Sequence, residues 1–356
     1  NQLRMAPSCR PTDTRVRGVT THEPEITREV VLSRGGRLAD GAVGWSRRPQ
    51  HDTAIAGWGR RKRWEYWGVV TPSHIVGLTV SSLDYAGVLG VYVLDRSSGR
   101  EWVHDAVVPL ARGVVLPTRV GRGRAHAAGS GLRIDVDHSP DATLLRASAP
   151  GVEVDLAISG SRATGLVDLA VEVPDRDALC VVVPWSSRRF QYTVKDVGRP
   201  VSGRLVVDGA SYDVEAATSF AVLDHGRGKW PYAIAWNWAA AAGPGRALTL
   251  GGKWTEGTGM TENGLFVDGR LHKIGEELGW DYDRSDWTAP WRIRGERIDV
   301  TLTVEHERVA RTQLGVVANE THQCFGTFTG WAYDDSDQRV DLDGLTGWAE
   351  EARNRW

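Results

Sequence analysis

The feature that most constrains this chain is a hydrophobic period of two. "LRIDVDH" puts Leu132, Ile134 and Val136 on one side; "VEVDLAI" does the same with Val152, Val154, Leu156 and Ile158, and "IDVTLTVEH" with Ile298, Val300, Leu302 and Val304. Side chains of an extended chain point alternately to opposite faces, so each run predicts a half-buried strand. Asp208-Gly209 in "LVVDGASYDV" and Asp268-Gly269 in "LFVDGRLHKI" stand between apolar runs. They predict two-residue hairpin turns, whose central positions need positive φ. Helical periodicity is scarce: only "EPEITREVV" near the start and "GWAEEARNRW" at the end predict short helices. With 41 glycines and 15 prolines as punctuation, the expected fold class is all-β, built from antiparallel barrels or sandwiches.

No fixed repeat period is present, which disfavours propellers and solenoids. The tryptophans divide the chain. Five lie between 45 and 102 and ten between 230 and 356, with Trp185 alone between them. The expected organisation is an N-terminal segment (1–39), a first β-barrel-like lobe (40–205) and a second (218–356) that holds an aromatic cavity, with the boundary near 205–220.

A net charge of −2 without a basic block implies neither a nucleic-acid partner nor a polybasic membrane anchor. The densest basic run, "GRRKRW" (59–64), reads as a solvated strand edge or loop. Three scattered cysteines (Cys9, Cys180, Cys324) form neither a disulfide framework nor a metal knuckle, which fits a reducing cytoplasm. No apolar run approaches the ~18 residues of a membrane span, and the first residues lack a signal's apolar core, with Met5 a candidate native start. The histidines are dispersed, HExxH and GxSxG are missing, and "AAGPGRALTLGG" lacks the order of a phosphate loop. No metal and no cofactor are expected.

The richest stretch is "LDHGRGKWPYAIAWNWAAAAG" (223–243). A strand ending at Asp224 would share a face with Phe220 and Val222, and "HGRG" would make a turn. After Pro231, Tyr232, Ile234, Trp236 and Trp238 would point one way and Ala233, Ala235, Asn237 and Ala239 the other. Asp224 beside that aromatic wall, with Trp230, would be partly desolvated and favour its proton-donating form; Arg227 nearby would instead hold it ionised as a structural salt bridge. His225 would face away from Asp224. Further polar groups stand among aromatics: Tyr66, Tyr85, Glu262, Asn263, His322 and Gln323. Collectively they suit a closed cavity with selective polarity.

"VLDHGRGKWPYAIAWNWAAA", "TENGLFVDGRLHKI", "HQCFGTFTGW" and "KRWEYWGVVTP" together resemble the bacterial family domain of unknown function 2804, from about residue 25 to the end. His225 departs from that pattern, where an aromatic, often tryptophan, is expected. More distantly, the chain is similar to tandem lipocalin-like proteins such as carotenoid 1,2-hydratases and certain pericyclic cyclases. That resemblance implies two β-domains enclosing an apolar substrate.

Three readings of function stay open. The first is an acid/base enzyme (hydro-lyase, isomerase or cyclase) acting on a hydrophobic isoprenoid, polyene or lipid, with Asp224, Arg227, Glu262 and His322 catalytic. Tyr66, Tyr85, Trp230, Trp236, Trp238, Asn263 and Gln323 would bind the ligand. The second is a non-catalytic lipocalin-type binder. The third is a carbohydrate-active protein with tryptophan platforms and paired carboxylates.

Overall fold

A computed structural model describes residues 21–139, 141–159, 176–314 and 317–355, and among them there is no helix. Met5 and Cys9 lie outside the described residues. Two large antiparallel sheets account for the architecture. The first, of 13 strands, runs in the order Gly123–Gly129, Leu132–His138, Ala142–Ala149, Val152–Ser159, Arg189–Val207, Phe220–Lys229, Arg61–Val70, His74–Ser82, Ala86–Asp95 and Glu101–Pro109, with three further strands, Leu179–Ser186, Ala210–Val214 and Trp45–Ser46, paired off this path. The second, of 10 strands, is centred on Ala233–Gly243, Leu345–Arg355, Val317–Tyr333 and Ile298–Leu314.

The period-two runs sit as their pattern dictates. Leu132, Ile134, Val136, Val152, Val154, Leu156 and Ile158 fill the interior of the first sheet; Ile298, Val300 and Leu302 fill that of the second. Both Asp-Gly pairs close two-residue hairpins, Val207 opposite Ala210 and Val267 opposite Arg270, with positive φ at Asp208, Gly209, Asp268 and Gly269. A third apolar cluster lies between the sheets, where Tyr92, Val222, Trp238, Phe325 and Trp348 meet.

Three expectations are corrected. "EPEITREVV" is extended: Glu25 bridges Trp45, and Val30–Val31 pairs with His51–Asp52. "GWAEEARNRW" supplies not a helix but the strand Leu345–Arg355, flanked on both sides by long partners. Ala and Glu favour helix by intrinsic propensity, but that preference is small beside two complete hydrogen-bonded ladders and burial on both faces. "HGRG" makes no turn, since Phe220–Lys229 runs unbroken through it and pairs on both edges. The chain passes from the first sheet to the second between Lys229 and Ala233, later than the 205–220 interval marked by the tryptophans. No helix among the described residues is long and apolar enough to cross a membrane.

Candidate functional site

A cavity of about 510 Å³ opens between the two sheets, lined mainly by apolar surface. Its walls are the faces that each sheet turns toward the other, and alternation selects the residues. On Arg61–Val70, Lys62, Trp64 and Tyr66 face the cavity, while Glu65 and Trp67 face the first barrel's interior. On Ala233–Gly243, Trp236 and Trp238 face it, while Ala239 and Ala241 pack into the second barrel. Trp64, Trp230, Trp236 and Trp254 join edge to face or stacked, with ring centroids 5.3 to 6.1 Å apart. Such geometry holds the rings rigid and leaves their outer surfaces for a guest.

The polar centre is Lys195, buried on Arg189–Val207. Its Nζ lies 2.8 Å from Asp224 Oδ1, 3.4 Å from Glu262 Oε1 and 3.8 Å from the centroid of the Trp238 ring. Asp224 also accepts hydrogen bonds from Trp64 Nε1 at 3.0 Å and Thr193 Oγ1 at 3.3 Å. Glu262 Oε2 accepts from Trp254 Nε1 at 3.2 Å, and its Oε1 is turned to the Lys195 ammonium. A third carboxyl, Glu350, accepts from Trp236 Nε1 at 2.9 Å and Gln323 Nε2 at 3.1 Å.

Three carboxyls near one ammonium in a water-poor space cannot all carry charge at little cost. Burial, with Asp224 adding repulsion and Lys195 opposing, pushes Glu262 up to about 7. Burial likewise pushes Glu350 up to about 7, despite its Trp236 hydrogen bond. Burial disfavours the Lys195 charge, but Asp224 and Glu262 more than offset it, so the amine's pKa rises. The site therefore holds a fixed ammonium and two carboxyls that exchange protons near neutrality.

Of the residues singled out from sequence, Asp224, Glu262, Tyr66, Tyr85, Trp230, Trp236, Trp238 and Gln323 line this cavity. Arg227 does not. Three residues from Asp224 on one strand, it faces the first barrel's interior, where its guanidinium bonds the carbonyls of Trp64, Gly226 and Pro117 and lies 3.8 Å from Glu65. His225 also faces inward, 3.4 Å from Glu65. Asn263 turns away from its neighbour Glu262: its Oδ1 accepts from Gly251 N and its Nδ2 donates to Glu276 O, which pins the chain. His322 is on the opposite strand face from Gln323, stacked on Trp287 and held between Glu307 and Glu320.

Sequence reasoning missed Lys195, Glu350, Lys62 and Trp254. Lys195 alternates with Thr193 in "YTVKDV", a signal that could have placed it on a strand face. Glu350 was hidden because its segment reads as helical.

A family model described as domain of unknown function (DUF2804) matches residues 23–356, so the chain belongs to that family. No curated protein matches it in sequence. Among solved structures its fold is similar to that of CghA with Sch210972, at a TM-score of 0.52 and 12% identity, covering 97% of this chain and 96% of that one. It is also similar to kievitone hydratase from Nectria haematococca, at 0.50 and 11%, covering 84% and 89%.

Proposed function

We propose that this member of the DUF2804 family is an acid/base enzyme that hydrates, dehydrates, isomerises or cyclises a hydrophobic small molecule held between its two barrels. The observation that carries the reading is Glu262: a fully buried carboxyl, pushed up to about 7, that stands beside Lys195 in the wall of a tryptophan-lined cavity. A general acid is most effective when its pKa lies near the operating pH. In the hydration direction the Glu262 O–H bond breaks as a C–H bond forms on the substrate's alkene. The indole faces stabilise the cation left on the neighbouring carbon. Water adds to that carbon and gives its proton to a carboxylate, Glu350 or Asp224. Dehydration is the reverse: the carboxyl that holds the water's proton, Glu350 or Asp224, protonates the departing hydroxyl, and the Glu262 carboxylate takes the proton from carbon. The similarity in fold to kievitone hydratase supports the reaction class; identity of 11% carries nothing about the substrate.

The carbohydrate reading fares worse, because a glycosidic bond must sit between its two carboxyls. Between Asp224 and Glu262 stands Lys195. The binder reading requires the cavity but gives the proton-holding pair no task.

The test is a deuterium label. A lipophilic extract of a cell that makes this protein, incubated with it in D₂O, is expected to yield a compound carrying carbon-bound deuterium, formed at least 100-fold more slowly by Glu262→Gln. The wild-type rate should fall about tenfold per pH unit above about 7, as the acid is lost. A ligand recovered from the cavity unlabelled and unaltered would sink the reading in favour of a carrier.

A further inference from the structure

Two groupings of basic residues differ in origin. The run "GRRKRW", expected as a solvated edge, enters the interior strand Arg61–Val70, and its Arg61 and Arg63 are matched by Asp84. The other grouping has no counterpart in sequence order and is assembled by register. On the face of the second sheet turned away from the cavity, Asn237, Glu351, His322 and Val309 stand side by side across four strands. Two residues further along, the next row on that face is Ala235, Arg353, Glu320 and Arg311. The row on the other side, with Ala239, Ala349 and Cys324, belongs to the second barrel's apolar core. The core therefore gives way to charge at one end of the barrel. The segment after Asp281 covers that end: Trp287 stacks on His322 with centroids 4.0 Å apart, and Arg284 Nη2 reaches Glu351 at 2.8 Å. A pocket of about 250 Å³ remains there, with Arg284, Arg311 and Arg353 in its wall.

One carboxylate in this pocket serves three cations. Glu351 is 2% exposed and takes the Lys253 ammonium, the Tyr282 hydroxyl and Arg284 on Oε2, and Arg353 Nε on Oε1 at 2.7 Å. Burial works to raise its pKa, but Lys253, Tyr282 and Arg284 overcome that and bring it down to about 2, so Glu351 is a fixed anion. Glu320 takes Arg311 at 3.0 Å, and Glu307 is occupied by His322 Nδ1 at 2.7 Å. Lys253, Arg284, Arg311 and Arg353 thus face Glu307, Glu320 and Glu351, and the cluster is positive before any proton on His322 is counted. Arg353 engages through Nε alone and Arg311 through Nε and Nη2; among the described residues no other acceptor takes their remaining N–H groups. The three guanidinium side chains are at least half exposed around a buried carboxylate. Such an arrangement gains from a polyvalent anion.

We propose that this pocket at the end of the second barrel binds a phosphate group, with Arg284, Arg311 and Arg353 donating to its oxygens and Glu351 positioning two of the three. Arg311 and Arg353 stand on either side of the strand that carries Glu320, and Arg284 comes from the covering segment. Donors arriving from three elements suit the three peripheral oxygens of a phosphate better than the coplanar pair of a carboxylate. A volume of about 250 Å³ equals roughly eight waters at ~30 Å³ each, so the pocket has room for a small phosphate monoester as well as for the free ion. The site is separate from the cavity and independent of the reaction proposed there: Glu350 and Glu351 are neighbours on one strand and face opposite sides of the sheet.

The test is isothermal titration calorimetry of the whole chain with inorganic phosphate and with glycerol 3-phosphate, at fixed ionic strength and about pH 7.5, where both carry close to two charges. One-to-one binding with a Kd of about 1 mM or tighter is expected, and the tighter of the two ligands identifies the source of the group. The double variant Arg311→Met, Arg353→Met should weaken binding at least about tenfold. Arg292→Met, which removes the same charge from an exposed pair with Asp299, should leave it within about twofold, and Glu262→Gln should leave it unchanged. Should the double variant not fold, Arg284→Met on the covering segment is expected to weaken binding several-fold. No saturable binding of either ligand by the wild type, wild-type affinity in the arginine variants, or an equal loss in Arg292→Met would overturn the site. A loss in Glu262→Gln would overturn it too, by placing the anion in the cavity between the sheets.

Discussion

At the scale of single residues, position on a strand decides between chemistry and structure. Asp224 and Arg227 are three residues apart, an odd number, so they lie on opposite faces of one sheet: one faces the cavity, the other braces Glu65 among His138 and His225. The same logic separates Glu262 from Asn263 and His322 from Gln323. Glu262 also leaves a thermodynamic signature. An unfolded glutamate ionises near 4.5, whereas this one keeps its proton to about 7. Between those values the native state binds more protons than the unfolded state, so stability falls as pH rises through the window and levels off above it. His225 acts in the opposite sense. Burial holds it down to about 4, so its contribution is lost as pH falls from 6.5 toward 4. Comparing wild type with Glu262→Gln cancels the histidine. Urea unfolding at pH 5 and pH 8 should show the wild type losing roughly 2–3 kcal/mol more than the variant; parallel behaviour would mean that Glu262 is already ionised at pH 5.

At the scale of elements, small residues let large ones reach the site. Gly226 lies inside a strand, opposite Trp64 in register, and a Cβ there would overlap the indole. The glycine makes room for a ring whose N–H then holds Asp224. Gly226→Ala is expected to cost about 1–3 kcal/mol by overpacking and to displace Trp64, visible as altered near-ultraviolet circular dichroism. An unchanged spectrum would show that the ring is held by other contacts. Glycine read from sequence as a turn signal thus has a second meaning in a sheet, the close approach of a neighbouring side chain. The strand Leu345–Arg355 teaches the complement: local propensity points to helix, but the two ladders on either side are contributed by residues 233–242 and 318–328, which no local window contains.

At the scale of the whole molecule, the cavity exists because the barrels pack on each other through an apolar joint. Trp348 from the second sheet is fully buried in it, against Tyr66, Trp238 and Phe325. It fits because residue 68 is glycine, where a Cβ would lie 2.5 Å from the Trp348 ring. Trp348→Ala should remove about 3–5 kcal/mol and uncouple the barrels. A single cooperative melting transition in the wild type would then become two in calorimetry. One transition in both proteins would mean that the joint does not carry the coupling.

The sequence by itself determined the strands with a clear period of two, their buried faces, both Asp-Gly hairpins and the aromatic wall, because each follows from that period or from backbone constraints at neighbouring residues. It also placed Asp224 and Glu262 among the candidates, since an acid embedded in tryptophan is a local pattern. Only the tertiary structure decided that Lys195 joins them, that Glu350 comes from a strand and not a helix, and that Lys62 faces inward. Those residues lie far apart in the chain, and their protonation depends on how two sheets exclude water from the space between them. Burial and charge are set by that packing, which no stretch of neighbouring residues encodes alone.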